Sequence, residues 1–327
     1  MTTDSDQPRL LTILVPVYNE GAVLQQFHQR LKTALSPIEM SFEIIYINDG
    51  SQDDTLVQLQ QLHQSDPDVA IIDLSRNFGK EVAMSAGLDN SHGDAVVIID
   101  ADLQDPPELI PELVERWQQG FDVVYAKRAE RDGETILKKL TAWLFYRVIG
   151  SMSDVEIPAD TGDFRLLSRR TVEAIRQLPE RHRFMKGLFN WVGFEKSAVM
   201  YHRDPRAAGD TKFNYWRLWN FALEGITSHT TLPLKLASYL GTLIASCSFL
   251  FAAYIIYDKL VNDNPVAGYP SLIVIVLFLG GVQLLTLGVI GEYLARISDE
   301  SKQRPLYFTK SIEPARSASA TEPESEN

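Results

Sequence analysis

The sequence contains a single cysteine, Cys247, among 327 residues. One cysteine permits neither an intrachain disulfide nor the cysteine cluster of a structural zinc site. Basic residues are also in deficit, because 31 Lys and Arg stand against 43 Asp and Glu and give a formal net charge of −12. A nucleic-acid-binding protein needs a basic surface to neutralise phosphates, so we expect no nucleic-acid partner.

Two features of other protein classes are missing near the start of the chain. Residues 1–9 are polar, and the apolar stretch Leu10–Val17 is short and contains Pro16, which does not fit a secretory signal peptide. We therefore expect the N-terminal part to stay on the side of the membrane where it is made. No Gly-x-Gly-x-x-Gly follows this stretch, which argues against a nicotinamide-binding protein.

Few long apolar runs occur before Leu232, and residues 10–130 instead alternate short apolar runs with amphipathic stretches. This alternation predicts an α/β fold with a parallel sheet covered on both faces. The predicted strands are Leu11–Val17, Phe42–Ile47, Val69–Leu74, Ala95–Ile99, Asp122–Ala126, Phe164–Leu167 and Ser197–Tyr201. The predicted helices are Ala22–Leu35, Asp53–His63, Glu81–Asn90, Pro107–Gln119 and Glu134–Ile149.

Two long apolar runs follow Leu232. The first carries only Lys235, near its start, and residues 270–287 carry no charge. Each run is long enough for a hydrocarbon core of about 30 Å, which needs about 20 helical residues. We predict a hairpin of two transmembrane helices, 232–257 and 270–293, joined by an outer loop at 258–269. The alternative is a pair of hydrophobic core helices in a soluble protein.

The distribution of basic residues gives the expected orientation. The outer loop carries only Lys259, whereas several Lys and Arg flank the two runs. The positive-inside rule therefore places both termini in the cytoplasm and the hairpin in the cell inner (plasma) membrane. Residues 1–205 form the predicted cytoplasmic catalytic domain and 206–231 a juxtamembrane amphipathic segment. Its aromatic stretch Asn214–Ile226 predicts an interfacial helix, with an ordinary buried helix as the alternative.

Residues 294–327 are the predicted cytoplasmic tail. Beyond Lys310 the tail is rich in Ser, Ala, Pro and Glu, so we expect that part to be disordered. The second apolar run contains several glycines that would permit helix–helix contacts and hence a homo-oligomer. These glycines are Gly280, Gly281, Gly288 and Gly291.

Two aspartates directly follow the strand predicted at Ala95–Ile99. Asp100 and Asp102 alternate along the chain, so their side chains point to the same side. Ligands bind at the carboxyl ends of parallel strands, and two carboxylates there suit an Mg²⁺ or Mn²⁺ that also holds substrate phosphates. A lone Asp-x-Asp is also consistent with surface solvation or helix capping.

The first two predicted strands also end in polar residues, at Tyr18–Glu20 and Asn48–Ser51. Asp49 could accept hydrogen bonds from a nucleobase, with Gly50 permitting close approach of the backbone. The alternative is that Asn48–Ser51 merely turns the chain and caps the helix predicted at Asp53.

Four ordered motifs resemble those of family 2 glycosyltransferases, and more narrowly the polyprenyl-phosphate branch typified by dolichyl-phosphate mannose synthase and bactoprenol glucosyltransferase. They are Val-Pro-Val-Tyr-Asn-Glu at 15–20, Asn-Asp-Gly-Ser at 48–51, Ser-Arg-Asn-Phe-Gly-Lys-Glu at 75–81 and Asp-Ala-Asp-Leu-Gln-Asp-Pro-Pro at 100–107. The resemblance covers about residues 10–300, and the two-span hairpin resembles the bactoprenol glucosyltransferase group most.

The resemblance implies a GT-A (Rossmann-like) fold and a donor site. The residues expected to bind the nucleotide-sugar are Pro16, Tyr18, Glu20, Asp49, Lys80, Asp100 and Asp102. The expected ligands of Mg²⁺ or Mn²⁺ are Asp100, Asp102 and Gln104. The residues expected at the reacting groups are Asp102, Asp160 and Asp163. Asp160 is the first choice for the side chain that faces the acceptor, because the mannose synthases have a small residue where this chain has Asp163.

The acceptor expected from the resemblance is a lipid phosphate, which is already ionised at neutral pH. Removing a proton is then a smaller problem than bringing two anions together, and Arg or Lys side chains relieve that repulsion. The residues expected to bind the lipid phosphate are Arg128, Arg131, Lys138, Arg206 and Lys212, with Lys139 a further candidate. For each of them the alternative is a solvated surface charge. The histidines at 182, 202 and 229 have no partner motif for nucleophilic catalysis, and we interpret them as structural.

The expected reaction is metal-dependent, inverting transfer of a hexose to undecaprenyl (polyprenyl) phosphate at the cytoplasmic membrane face, with UDP-glucose the favoured donor. A processive polysaccharide synthase is one alternative, although two spans are too few to line a polymer channel. A non-catalytic membrane scaffold with the same fold is another, and the Asp100/Asp102 pair argues against it.

Overall fold

The structure is a computed structural model that describes residues 9–128, 161–181, 183–201, 232–262 and 268–319. The described residues fall into two compact units. The first comprises the residues up to Tyr201 together with those from Arg304 onward, and the second comprises 232–303. The predicted helices at Glu134–Ile149 and Asn214–Ile226 lie outside the described residues.

The first unit is built on one eight-stranded sheet. Its strands are β1 (Leu10–Val17), β2 (Ser41–Asn48), β3 (Val69–Leu74), β4 (Ala95–Ile98), β5 (Val123–Arg128), β6 (Thr161–Ser168), β7 (Lys196–Tyr201) and β8 (Thr309–Glu313). Their order across the sheet is β7-β5-β6-β4-β1-β2-β3-β8. Strands β3, β2, β1 and β4 run parallel, β6 is antiparallel to both β4 and β5, and β8 is antiparallel to β3. The predicted α/β class is therefore confirmed.

Helices of the first unit connect and cover these strands. They are α1 (Leu24–Leu35), α2 (Thr55–Ser65), α3 (Lys80–Asp89), α4 (Ile110–Gln118, after a 3₁₀ turn at Pro107–Leu109), α5 (Arg169–Arg176), α6 (Met185–Trp191) and α9 (Arg316–Ser319). The predicted strands match β1–β5 to within two residues at each end, whereas α5 and α6 were not predicted. Both are short, and α5 begins at a Ser168 hydroxyl that accepts from the Thr171 amide.

The parallel strands are buried on both faces because helices cover each side. Successive residues of β1 point to opposite faces of the sheet and pack in different core clusters. Ile13 packs in the cluster that contains Phe27 of α1, and Leu14 packs in the cluster that contains Met84 of α3. This two-sided burial explains why the strand reads as a continuous apolar run. It also leaves the carboxyl ends of the strands as the place where polar side chains gather.

The prediction of a disordered tail beyond Lys310 is wrong for the residues up to Ser319. There the chain forms β8 and α9, and Ala315 is buried. The physical reason is that β3 would otherwise expose an unpaired strand edge, and β8 supplies its hydrogen-bond partners. The side chains of β8 are mostly exposed, so its composition is polar and does not indicate a strand.

The second unit contains two long helices in mutual contact, α7 (Leu232–Asn262) and α8 (Tyr269–Ser301). Both are longer than the predicted spans 232–257 and 270–293. Within the part of the chain that the structure describes, Val274–Ser301 is long and apolar enough to cross a membrane, and Gly241–Phe251 is a shorter apolar helical stretch. The hairpin of two spans stays a prediction.

Candidate active site

A pocket of about 320 Å³ lies at the carboxyl ends of β1, β2 and β4 and beside the start of α3. Its lining residues are Pro16, Val17, Tyr18, Glu20, Asp49, Asn77, Gly79, Lys80, Ala83, Asp100, Ala101 and Asp102. All seven residues expected to bind the nucleotide-sugar are in this set. They meet because parallel strands deliver their carboxyl ends to one edge of the sheet.

Asp49 anchors one wall of the pocket. Its carboxylate accepts hydrogen bonds from the backbone amides of Phe78 at 2.7 Å and Gly79 at 2.9 Å. Burial raises the pKa of Asp49, although these two amides act in the opposite direction. Part of its hydrogen-bonding capacity therefore holds the β3–α3 loop, a role that the nucleobase hypothesis did not include.

Gly50 has a φ of +67°, and the backbone of the same loop approaches it closely. A Cβ at this position would lie 2.5 Å from the Arg76 carbonyl carbon and 2.6 Å from the Asn77 nitrogen. The close approach at Gly50 is made by the protein's own loop. Approach of a nucleobase at this position stays a prediction.

Lys80 connects two acidic groups from different strands. Its ammonium nitrogen lies 2.7 Å from the carboxylate of Asp100, which follows β4, and also contacts the carboxylate of Asp163 in β6. Burial would lower the pKa of Lys80, but the two aspartates outweigh it and raise that pKa above its ordinary value. Lys80 therefore remains cationic and holds β4 and β6 residues together at the pocket.

Asp163 is the centre of a charge cluster that the sequence did not reveal. Burial by itself would raise its pKa, but Lys80 and then Lys186 outweigh burial and lower the pKa to about 2. The Lys186 nitrogen is 3.9 Å from Asp163 Oδ1, and this buried oxygen accepts no hydrogen bond from the described residues. Asp163 is thus an anion held between two lysines.

Glu81 is a second carboxylate of this cluster. Burial and the charge of Asp163 raise the pKa of Glu81 to about 7. One of its oxygens accepts the amide hydrogen of Met185 at 2.9 Å, which ties α3 to the first residue of α6. Glu81 ends the motif at 75–81, but the sequence assigned it no role, and Lys186 belongs to none of the four motifs. The meeting of Glu81 with α6 depends on the folded chain.

Arg165 completes the cluster on its buried side. Its guanidinium lies over the ring of Phe189, 4.1 Å from the ring centroid, and donates to the Gly162 carbonyl at 2.7 Å. Burial lowers the pKa of Arg165 to about 10, which still leaves it charged at neutral pH. The cation therefore supports the backbone on which Asp163 stands.

Two hydrogen bonds hold the turn after Asp100. Asp102 Oδ1 accepts from the backbone amide of Gln104 at 3.1 Å, and Asp105 accepts from the hydroxyl of Tyr201 in β7 at 2.6 Å. Leu103 has a φ of +60°, which is uncommon for a residue with a branched side chain. This geometry fixes the direction in which Asp102 leaves the strand end.

The expected metal ligands fit a divalent cation in part. Asp100 and Asp102 both line the pocket, and burial raises the pKa of Asp100, a cost that a bound cation would relieve. Gln104 is buried and outside the lining set, and its Nε2 has no hydrogen-bond partner among the described residues. No group of three or more His, Cys, Asp or Glu suited to a metal occurs in the described ranges. Mg²⁺ commonly takes one or two carboxylates plus substrate phosphates, which matches this donor set.

Several expected site residues lie outside the part of the chain that the structure describes. They are Arg131, Lys138, Lys139, Asp160, Arg206 and Lys212, together with the histidines at 182, 202 and 229. Arg128 ends β5, but its side chain is not described. The expected acceptor contacts of all these residues stay predictions.

A mixed β-sheet covered by helices, with paired aspartates at the carboxyl ends of its parallel strands, is the arrangement of a GT-A glycosyltransferase. The sequence model described as glycosyl transferase family 2 matches residues 12–176, from β1 through α5. The chain belongs to this family, and the protein is a glycosyltransferase.

Curated relatives match nearly the whole chain. A protein of Synechocystis sp. described as an uncharacterized glycosyltransferase is 54% identical over 92% of this chain and 95% of its own length. The bactoprenol glucosyl transferase of Shigella phage SfV is 51% identical over 92% of this chain and 98% of its own. The prophage bactoprenol glucosyl transferase homolog of Escherichia coli is 47% identical over 92% and 99%.

Solved structures are more distant. Glucosyl-3-phosphoglycerate synthase from Mycobacterium tuberculosis, crystallised with Mn²⁺, UDP-glucose and phosphoglyceric acid, is 18% identical, with a TM-score of 0.45 over 67% of this chain and 78% of that one.

Proposed function

We propose that this glycosyltransferase transfers glucose from UDP-glucose to undecaprenyl phosphate at the cytoplasmic face of the membrane. The observation that carries the proposal is the pocket at the carboxyl ends of β1, β2 and β4, where Asp100 and Asp102 meet the expected nucleotide residues. The choice of glucose and of a lipid acceptor is supported by the relatives named bactoprenol glucosyl transferase, which match over nearly their full length.

The long apolar helices support a membrane acceptor. Large hydrophobic side chains of both helices are exposed, among them Phe249 and Leu250 of α7 and Leu284 and Leu285 of α8. Exposed apolar surface of this extent is costly in water and favourable in lipid. We propose that α7 and α8 are the two spans, with both termini cytoplasmic, so that a lipid phosphate reaches the enzyme from the membrane surface.

The proposed reaction is a single displacement. A phosphate oxygen of the lipid attacks the anomeric carbon of glucose, the bond from that carbon to the UDP oxygen breaks, and UDP leaves with the electron pair. One displacement inverts the anomeric configuration. The attacking oxygen is already ionised, so no residue has to remove its proton.

The residues of the pocket have distinct roles in this proposal. Tyr18, Glu20 and Asp49 line the end of the pocket that would hold the nucleoside. Lys80 supplies positive charge beside the donor diphosphate and fixes Asp100 and Asp163. Lys186 stands next to Asp163 and supplies a second cation for the incoming anionic acceptor. Together the two lysines lower the repulsion between two anionic substrates.

Asp100 and Asp102 would hold a divalent cation, Mg²⁺ or Mn²⁺, together with the donor phosphates. When bound, the cation supplies charge stabilisation to the departing diphosphate. Gln104 is kept as a third proposed ligand, and Asp160 and Asp163 as the proposed residues near the reacting groups.

The test is transfer of radiolabel from a panel of UDP- and GDP-sugars to undecaprenyl phosphate by the full-length protein in detergent. We expect a chloroform-soluble product from UDP-glucose that disappears with EDTA and with Asp102→Ala. Glu112→Gln, an exposed carboxylate of α4, is the matched control and should retain activity. Donor hydrolysis or a polymer, with no lipid product from any donor, would overturn the lipid acceptor and favour a processive synthase.

A further inference from the structure

The segment Tyr307–Ser319, called here the strap, follows the apolar helix α8 in sequence and packs on the unit that contains the pocket. Its strand β8 pairs antiparallel with β3, with Ser311 opposite Asp73. Beyond β8, Ala315 is buried and Arg316 donates to the carbonyls of His63 and Gln64, each at 2.9 Å. The strap is therefore an ordered part of the catalytic unit.

The strap contacts the pocket wall through the backbone. The Ser75 amide donates to the Phe308 carbonyl at 2.8 Å. Ser75 begins the loop that runs to Gly79, and both Asn77 and Gly79 of that loop line the pocket. The β3–β8 register shifts between Asp73 and Leu74, immediately before the loop. The hydrogen bond thus fixes the point where regular pairing stops and the pocket wall begins.

A chain of side chains leads from the strap to the neighbouring strand end. Lys310 Nζ lies 3.7 Å from the carboxylate of Asp73, which is 5% exposed. The other oxygen of Asp73 accepts from the Asn48 amide group at 2.7 Å. Asn48 directly precedes Asp49, whose carboxylate holds the amides of Phe78 and Gly79. Lys310 therefore balances a buried charge that orients the strand end carrying Asp49.

The strap also holds the helix that carries Lys80. The Tyr307 hydroxyl donates to Asp89 Oδ2 at 3.1 Å, and Asp89 is the last residue of α3. Lys80 is the first residue of the same helix. One short segment thus contacts the β3 end, the loop after it and the far end of α3.

We propose that the strap is a positioning element of the donor pocket, with Lys310 and Tyr307 as positioning residues that act through Asp73 and Asp89. The polypeptide that emerges from the apolar helix orders the loop Ser75–Gly79 and so prepares the pocket for the nucleotide. The inference rests on the proposed donor site, because the loop matters for catalysis only where a nucleotide-sugar binds beside it.

The experiment uses the full-length protein in detergent with the variants Lys310→Met, Tyr307→Phe and the double variant. Lys302→Met is the matched control, since Lys302 is an exposed lysine that pairs with Asp299, three residues before it. Three quantities are measured: hydrogen exchange of the amides at 75–80, the Kd for UDP, and the thermal unfolding temperature. We expect about tenfold faster exchange at 75–80 in the double variant and a rise of about threefold to tenfold in the Kd for UDP.

Two results would overturn the inference. One is exchange at 75–80 equal to that of Lys302→Met, and the other is a lower unfolding temperature with an unchanged Kd for UDP, which is what a purely structural strap would give. Failure of the proposed donor is separately visible. If the unaltered protein binds no UDP, the proposed function loses its donor, while the exchange comparison still decides whether the strap orders the pocket wall.

Discussion

The ammonium group of Lys80 bridges the carboxylates of Asp100 and Asp163, residues that belong to the ends of two antiparallel neighbours in the sheet. The bridge joins one of the two aspartates proposed to hold the metal to a residue of the segment expected to face the acceptor. Lys80 therefore fixes the proposed donor side and the proposed acceptor side of the site relative to each other.

Removing this bridge should abolish most activity. In Lys80→Met the two carboxylates lose their shared cation, and the donor phosphates lose a positive group at the pocket. We expect kcat/KM for transfer from UDP-glucose to fall about 10²-fold to 10³-fold. Thermal unfolding measured beside activity separates loss of charge from loss of fold. Activity of Lys80→Met within a few-fold of the unaltered enzyme would contradict the role given to Lys80.

The second lysine should affect the acceptor more than the donor. Lys186 is partly exposed and 3.9 Å from Asp163, where an incoming anion would meet it. We expect Lys186→Met to raise the KM for undecaprenyl phosphate about fivefold to tenfold, with little change in the KM for UDP-glucose. Arg116→Met removes an exposed cation of α4 and serves as the control. Equal changes in both KM values would mean that Lys186 has no specific role at the acceptor and contributes only to the overall charge of the site.

Glu81 should make stability depend on pH. Its pKa in the folded protein is about 7, above the ordinary value of 4.5. Between these two values the folded chain keeps a proton that the unfolded chain has released, so the stabilisation is complete below about pH 4.5 and is lost as pH rises through 7.

Glu81→Gln keeps an acceptor for the Met185 amide and removes the titration. The free energy of unfolding of Glu81→Gln, relative to the unaltered protein, should therefore rise by about 1–3 kcal/mol between pH 5 and pH 8. Unfolding curves at several pH values measure this difference. The groups that face Glu81 are Asp163, Lys80, Lys186 and Arg165, and the comparison is made with all four unchanged.

Gly50 should be intolerant of a side chain for a reason specific to the pocket. A Cβ there meets the backbone at Arg76 and Asn77, so the pocket loop has to move. We expect Gly50→Ala to raise the KM for UDP-glucose about tenfold.

The matched control is Gly120→Ala, which also has a positive φ, +105°, but has no atom within 4 Å of the added Cβ. It should lower stability by about 1 kcal/mol through backbone strain without changing the KM. If the two variants changed the KM equally, the close approach at Gly50 would not be the cause.

The first four strands and the gathering of polar residues at their carboxyl ends follow from the sequence itself. Runs such as Val69–Leu74 are continuously apolar because both faces are covered, and a parallel arrangement necessarily collects the residues after each strand at one edge. This geometry predicts one sheet edge for Tyr18, Asp49, Asp100 and Asp102, and the resemblance to family 2 glycosyltransferases implied that they share a donor site.

Tertiary structure alone decided which charged side chains meet in that pocket and which strand covers the open edge of β3. Lys80 and Asp163 are 83 residues apart, and no local period links them; the antiparallel insertion of β6 beside β4 brings them together. Lys186 reaches Asp163 because α6 packs beside α3, where Glu81 accepts from the Met185 amide and both helices share one core cluster. The strap reads as a polar tail because its side chains are mostly exposed, and its order comes from backbone hydrogen bonds to the open edge of β3, which composition does not report.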